Sequence, residues 1–92
     1  MLIALSGGLA ACQSAPEPGF VWACPDGADF GLRYAEDGKA LIWHNGHVYS
    51  LSPAISASGA RYQGDGYEFW EHHGEARIID GAGAVHEGCR TR

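Results

Sequence analysis

Turn signals recur so closely along this chain that they exclude any long helix, and this spacing constrains the fold more than any other feature. Asp37-Gly38, Asn45-Gly46 and the stretch Gln63–Gly66 each carry the Asp-Gly or Asn-Gly pair that favours tight β-hairpins. The segments between them are short and apolar or alternating, and none keeps the apolar period of a helix over three turns. The sequence therefore predicts an all-β fold of seven or eight short strands at intervals of about ten residues.

One segment shows how the strands should face the core. At Asp29–Tyr34, alternation places Phe30, Leu32 and Tyr34 on one face. A closed antiparallel β-barrel suits strands this short, because closure leaves no unpaired edge in a small sheet; a sandwich is the open alternative. The other expected strands are Phe20–Cys24, Ala40–Trp43, Val48–Leu51, Tyr67–Trp70, Glu75–Ile79 and Ala84–His86.

The N-terminal stretch Met1–Ala11 is almost entirely apolar or small and is too short to cross a bilayer as a helix. It ends in Leu9–Cys12, which fits the lipobox that directs cleavage before a cysteine that then carries lipid. We therefore expect residues 1–11 to be a lipoprotein signal segment, residues 12–19 a flexible tether from lipidated Cys12, and residues 20–92 one domain. An ordinary secretory peptide or an apolar strand is the alternative for the first segment.

The three cysteines fit an exported, lipid-anchored protein. If Cys12 carries lipid, Cys24 and Cys89 remain as an even pair, with two free thiols as the alternative. A bridge between them would close a loop of about 66 residues, which the chain-entropy model values at roughly 4 kcal/mol. That is a large contribution for a domain with so small a core. Gln13, rather than Asp, after Cys12 favours transport to the outer membrane, where the domain would face the periplasm.

The chain is acidic, with eleven Asp and Glu residues against six Lys and Arg and a net charge of −5. It has no basic cluster, which argues against binding to nucleic acid and against electrostatic adhesion to anionic lipid. An acidic surface favours a cationic partner by steering. Five histidines suggest a metal site, but no spacing matches a known zinc signature, so we expect no metal and no cofactor. No nucleophile motif or phosphate loop indicates an enzyme.

Ser56–Tyr62 has the composition of an exposed, shaped loop rather than of a buried strand. Ser56 and Ser58 can donate and accept hydrogen bonds, and Gly59 lets the backbone adopt positive φ and approach a partner closely. Exposed loops on rigid β scaffolds often carry recognition, although an ordinary turn has the same composition. We expect Arg61 to face solvent or to pair with an acid; contact with a partner is the alternative.

Ser56–Tyr62, followed by Phe69-Trp70 and His73–Ala76, closely resembles the signature SASGARY … FWxKGxEA of the bacterial inhibitors of c-type lysozyme, the MliC/PliC family. Cys24–Gly27 and Cys89 also fit the family. The resemblance implies a small antiparallel β-barrel that binds c-type lysozyme, a generally basic glycosidase, and turns over no substrate. Such a partner agrees in sign with the acidic charge of this chain.

The resemblance also implies how the loop would act. Lysozyme uses two carboxylates, and a serine hydroxyl can hydrogen-bond both while a nearby cation pairs with the ionised one. The family residues implicated are the second serine of the motif and a lysine before the glycine, which correspond to Ser58 and His73 here. Because histidine has an ordinary pKa of about 6.5, we expect inhibition to strengthen as the pH falls from about 8 towards 6. His72 is the alternative cation, since one extra residue in the turn before Tyr67 loosens the alignment.

The lysozyme-binding residues expected from the signature all lie between Ser56 and His73. Two other functions stay open: a non-inhibitory envelope lipoprotein with the same barrel, which the missing lysine favours, and a small-ligand or metal-binding barrel, which the histidines favour. The expected binding residues are Ser56, Ser58, Gly59, Arg61, Tyr62, His72 and His73.

Overall fold

The computed structural model describes residues 17–92, so the expected signal segment and Cys12 lie outside the described residues. Eight strands follow one another round a closed barrel in which chain neighbours pair antiparallel and β8 pairs with β1. This confirms the all-β fold predicted from the turns and the closed barrel that the family resemblance implies. The strands are β1 Phe20–Ala23, β2 Asp29–Tyr34, β3 Ala40–His44, β4 His47–Pro53, β5 Ala60–Gly64, β6 Tyr67–His72, β7 Glu75–Ile79 and β8 Val85–Thr91. No helix among residues 17–92 is long and apolar enough to cross a membrane.

Alternation along the strands fills the barrel interior with apolar side chains. On β2, Phe30 and Leu32 point inward and are fully buried. Tyr34 is 44% exposed, because β2 ends there at the mouth of the barrel. Its ring packs edge-on against Phe20, which is itself exposed. The largest fully buried residues are Phe30, Phe69, Leu32, Ile42, Leu51, Ile78 and Cys89.

The barrel closes over a short seam between β1 and β8. Two residue pairs join these strands, at Trp22 and Ala23 of β1. The Cys24–Cys89 disulfide follows directly, which confirms the predicted bridge and links positions 65 residues apart in the chain. The disulfide therefore continues the seam where main-chain pairing stops.

Two-residue turns close three of the hairpins, and in each the first residue has positive φ: 53° for Asn45, 53° for Asp65 and 55° for His73. A glycine with positive φ follows each of them. This is the conformation of a type I′ turn, whose twist matches that of the flanking strands. Asn and Asp are the usual residues at the first position, whereas His73 is a less common occupant that tolerates left-handed backbone better than most side chains.

The strand order distributes the connections between two ends of the barrel. The loop end carries the β2–β3 turn, the β4–β5 connection (residues 54–59) and the β6–β7 turn (residues 73–74). The far end carries the turns that follow β1, β3, β5 and β7.

The exposed loop is shorter than the sequence indicated. We expected it to run over Ser56–Tyr62, but β5 begins at Ala60 and pairs with β6 through Arg61 and Tyr62. Tyr62 lies opposite the buried Phe69 and shares its inward face, so Arg61 points outward. Arg61, a polar residue on the outer face, interrupts the apolar pattern by which this short strand would have been predicted. Because β5 continues to Gly64, the turn expected over Gln63–Gly66 contains only Asp65 and Gly66.

Candidate functional site

Among the connections between the described strands, the β4–β5 link is the one that is not closed as a tight hairpin. The links after β1, β2 and β7 are closed by pairs of main-chain hydrogen bonds, and the other three are two-residue turns. The β4–β5 loop (residues 54–59) is joined at its base by the Ala54 amide, which donates to the Arg61 carbonyl at 2.8 Å. Beyond this base, side chains fix the shape of the loop.

The two serines of the β4–β5 loop have different hydrogen-bonding states. The Ser56 hydroxyl donates to the Ser58 carbonyl and accepts from the Ser58 amide at 3.3 Å, so it is used within the loop. The Trp70 indole N–H donates to the same Ser58 carbonyl at 2.9 Å. Ser58 itself is exposed, and its hydroxyl has no hydrogen-bond partner among residues 17–92. Ser58 is therefore the serine whose hydroxyl is available to a partner.

Gly59 brings the loop against the end of β6. Its φ is +75°, and a Cβ built on it would lie 2.2 Å from the Glu71 carbonyl oxygen and 3.2 Å from the His72 Cβ. A larger residue at this position would have to push the loop away from β6. The close approach places Ser58 and Gly59 beside the β6–β7 turn.

His72 and His73 stand at this turn, next to the loop. Both side chains are exposed, and their rings stack with centroids 3.9 Å apart. The Glu71 carboxylate accepts a hydrogen bond from the Gly74 amide at 3.2 Å, which ties the turn to the end of β6. The structure thus places both expected cation positions together beside the loop.

Arg61 and Tyr62 lie at the base of the loop on opposite faces of β5. The Arg61 Nε donates to a Glu68 carboxylate oxygen at 2.8 Å, which confirms the predicted acid partner, and its Nη1 donates to the Ile55 carbonyl at 3.0 Å. Tyr62 is half-buried and packs towards Phe69, with ring centroids 6.4 Å apart. Contact of either side chain with an enzyme stays a prediction.

Two residues of the site were missed at the sequence level. Ile55 is 93% exposed, far more than any other large apolar residue among 17–92, and it precedes the stretch that resembles the family signature. Trp70 holds the loop from the outer face of β6. Alternation could have identified it, because Trp70 neighbours Phe69 and must therefore face away from the core.

A second polar cluster lies at the far end of the barrel. His86 Nδ1 is 2.6 Å from an Asp26 carboxylate oxygen, and its Nε2 is 3.0 Å from an Asp80 carboxylate oxygen. Burial would lower the pKa of His86, but its hydrogen bonds to Asp80 and Asp26 outweigh burial and raise that pKa. The hydrogen bond from His86 lowers the pKa of Asp80, and hydrogen bonds from the Ala28 amide and from His86 lower the pKa of Asp26. The cluster joins the β1–β2 and β7–β8 turns and is remote from the loop.

His44 and Tyr67 form a further contact near this cluster. The His44 Nδ1 lies 2.7 Å from the Tyr67 hydroxyl, and burial raises the pKa of Tyr67 to about 12. The hydroxyl therefore stays protonated at neutral pH and remains a hydrogen-bonding partner for the imidazole. In the part of the chain that the structure describes, no three His, Cys, Asp or Glu side chains are arranged to hold a metal ion.

Fold and site together define a class: a small antiparallel barrel, linked by a disulfide across its seam, that presents a braced Ser-Gly loop at one end. The chain belongs to the family of membrane-bound lysozyme inhibitors of c-type lysozyme, whose sequence profile matches residues 22–85. That range includes the β4–β5 loop and the β6–β7 turn.

Curated relatives carry the same type of sequence within longer proteins. The chain is 37% identical over 84 residues to "Lipoprotein LprI" of Mycobacterium bovis and of Mycobacterium tuberculosis. The match covers 85% of this chain and 41% of LprI, so the chain spans less than half the length of these relatives. No solved structure matches the chain.

Proposed function

We propose that this chain inhibits c-type lysozyme by placing the β4–β5 loop in the active-site cleft of the enzyme. One observation carries the proposal: the Ser58 hydroxyl is exposed and without a partner among residues 17–92, while the carbonyl of the same residue is held by two donors. A hydroxyl carried on a backbone held in this way can hydrogen-bond the two catalytic carboxylates where the scissile sugar would lie. The loop then blocks the cleft and no bond is broken.

The stacked pair His72 and His73 supplies the supporting cation in this proposal. The pair lies beside the loop because Gly59 packs against Glu71 and His72. A protonated imidazole next to an ionised carboxylate is favoured electrostatically, so the contact strengthens as the pH falls. Membership of a family of lysozyme inhibitors also supports inhibition by this chain.

The remaining loop residues form the edge of the proposed contact. Ser56 shapes the loop through Ser58, and Gly59 allows the close approach that a narrow cleft requires. Arg61 and Tyr62 lie at the loop base, where part of each side chain is exposed to a partner.

We also propose that the barrel is anchored in the cell envelope through lipidated Cys12, at the outer membrane and facing the periplasm. The lipobox Leu9–Cys12, the description of the family as membrane-bound and the lipoprotein name of the relatives support this location. A chain with a net charge of −5 would there attract a cationic lysozyme that enters from outside.

An inhibition assay tests the proposal. The chain carrying Cys12→Ser, which removes the proposed lipidation site, is titrated against hen-type lysozyme acting on bacterial cells at pH 6, 7 and 8. We expect inhibition, and we expect Ser58→Ala to weaken it by about tenfold or more, because a hydrogen bond to a charged group contributes roughly 1.5–3 kcal/mol. Ser50→Ala, which alters an exposed serine of β4, serves as the matched control and should inhibit like the parent chain. No inhibition at micromolar protein over the whole range would instead favour a non-inhibitory envelope lipoprotein.

A further inference from the structure

Two side chains on the outer faces of β5 and β6 hold the main chain of the β4–β5 loop at two of its carbonyls. The Trp70 indole N–H donates to the Ser58 carbonyl at 2.9 Å. The Arg61 Nη1 donates to the Ile55 carbonyl at 3.0 Å, and its Nε is held by Glu68 of β6 at 2.8 Å. The two braces act on residues at either side of the loop tip, so together they restrict the tip rather than only its base.

Packing of the core does not explain the place of Trp70. On β6, Tyr67 and Phe69 are buried, whereas Glu68 and Trp70 lie half-buried on the outer face. Trp70 is absent from the core cluster, which the inward aromatics Trp22, Phe30 and Phe69 already fill. Trp70 therefore adds nothing to that cluster, and its indole N–H instead donates to the Ser58 carbonyl of the loop.

We propose that Trp70 is a positioning residue for Ser58. Glu68 contributes indirectly, because it holds the Arg61 side chain that donates to the Ile55 carbonyl. The inference deepens the proposed lysozyme inhibition and rests on it. Trp70 donates to the carbonyl of the residue whose hydroxyl is available, so it restrains the backbone that carries the Ser58 side chain. A loop that is already ordered loses less conformational freedom on binding, which increases affinity without adding a contact.

The hydroxyl of Ser56 donates to the same carbonyl, and this redundancy gives the proposal a distinctive signature. Removal of one donor leaves the Ser58 carbonyl held by the other. Removal of both leaves it without either brace, so the loss of affinity in the double variant should exceed the product of the two single losses. Residues that act on one shared group are expected to couple in this way.

The experiment uses the Cys12→Ser chain with four variants: Trp70→Phe, Ser56→Ala, the combination of both, and Trp43→Phe. Trp70→Phe retains a ring but removes the indole N–H, and Trp43→Phe makes the same change on the outer face of β3. Three quantities are measured: the inhibition constant against hen-type lysozyme, amide hydrogen exchange at Ser58 and Gly59, and the midpoint of thermal unfolding.

We expect Trp70→Phe to raise the inhibition constant about tenfold and to speed exchange at Ser58 and Gly59, while exchange in the barrel strands and the unfolding midpoint stay close to the parent values. Ser56→Ala should have a smaller effect in the same direction, the double variant should exceed the product, and Trp43→Phe should match the parent chain. If the parent chain does not inhibit, the proposed function fails, but the exchange data still test the brace. Parent-like exchange in the loop of Trp70→Phe would overturn the inference, as would a uniform increase in exchange through all strands, because that result would make Trp70 a packing residue.

Discussion

Ser56 and Ser58 lie two positions apart in the chain, yet their hydroxyls are used differently in the folded protein. Ser56 donates inward to a loop carbonyl, and Ser58 is left exposed. The sequence identifies both as candidate binding residues because both are polar and flank a glycine-containing turn. The family resemblance singles out Ser58, but composition alone does not separate the two, because Ser56 bonds the Ser58 carbonyl only in the folded loop. The second donor to that carbonyl, Trp70, is 12 positions away and reaches it across the β5–β6 pairing.

At the level of single residues, Gly59→Ala should be more damaging than the same change at another glycine of positive φ. Gly46 also has positive φ, at +80°, but a Cβ there meets nothing within 4 Å, so Gly46→Ala should cost only the left-handed strain of about 1 kcal/mol. At Gly59 the new Cβ would lie 2.2 Å from the Glu71 carbonyl oxygen, so the loop must move in addition. We expect Gly59→Ala to lose about 3 kcal/mol of unfolding free energy and most of the inhibition.

Urea unfolding of the two glycine variants, combined with the lysis assay, checks this prediction. Equal free energies of unfolding for Gly59→Ala and Gly46→Ala, together with unchanged inhibition by both, would show that the loop is not packed against β6 in solution.

The histidine at the β6–β7 turn predicts a pH dependence that a lysine would abolish. Histidine ordinarily loses its charge between about pH 6 and 8, whereas lysine keeps its charge over that range. We expect His73→Lys to inhibit up to about tenfold more strongly than the parent chain at pH 8 and about equally at pH 6. His72→Lys distinguishes the two candidates. His47→Lys is the control, because His47 is exposed and begins β4 at the far end of the barrel.

Inhibition constants measured from pH 6 to 8 for the three lysine variants decide between His72 and His73. If the parent chain shows a flat profile and neither His72→Lys nor His73→Lys changes it, these histidines do not supply the cation.

At the level of elements, most hairpins were visible in the sequence and the short strand β5 was not. Asp-Gly and Asn-Gly pairs locate turns because their backbone preferences are local. The strand β5 escaped because Arg61 interrupts its apolar pattern and Gly59 immediately precedes it, so the segment resembles a continuation of the loop. The far-end cluster was equally invisible, since His86 and Asp26 are separated by 60 residues and meet only when the barrel closes.

That cluster should make stability depend on pH in a defined window. The pKa of His86 is raised, so its contribution is complete below the ordinary value of 6.5 and is lost as the pH rises through the raised folded value. The pKa values of Asp80 and Asp26 are lowered from 3.8, so their contribution is complete above 3.8 and is lost as the pH falls through the lowered folded values. The cluster therefore stabilises the barrel most between about pH 4 and 6.5.

His86→Gln should flatten the stability profile above this window. Thermal unfolding midpoints of the parent chain should fall between about pH 6.5 and 8, and the fall should be smaller in His86→Gln, with His47→Gln as an exposed control. Parallel profiles for His86→Gln and the parent chain would contradict a stabilising role for the charged imidazole. Inhibition measured at pH 6 should be the same in all three, because the cluster is remote from the loop.

At the scale of the whole molecule, the proposed binding site and the His86 cluster lie at opposite ends of one barrel. The loop end holds the available Ser58 hydroxyl and the histidine pair, and the far end holds the His86 cluster. The sequence predicted the closed architecture, the Cys24–Cys89 bridge and the family. The division between the two ends follows from strand order, which no local pattern contains.

The net charge of the chain affects the rate at which it associates with a cationic enzyme, not how the loop fits into the cleft. A net charge of −5 speeds association with a cationic enzyme at low ionic strength and is screened as salt is added. The proposed contact of Ser58 with the catalytic carboxylates would instead define where the inhibitor binds, and it requires the loop and the substrate to compete for one cleft.

Competition between this chain and a short oligosaccharide that fills the lysozyme cleft tests that demand most directly. Binding of the Cys12→Ser chain to hen-type lysozyme is measured by titration calorimetry at increasing saccharide concentration, at pH 6. Occupancy of the cleft by the loop predicts that the apparent dissociation constant rises in proportion to saccharide saturation, with no ternary complex. A dissociation constant that stays unchanged when the cleft is saturated would contradict it.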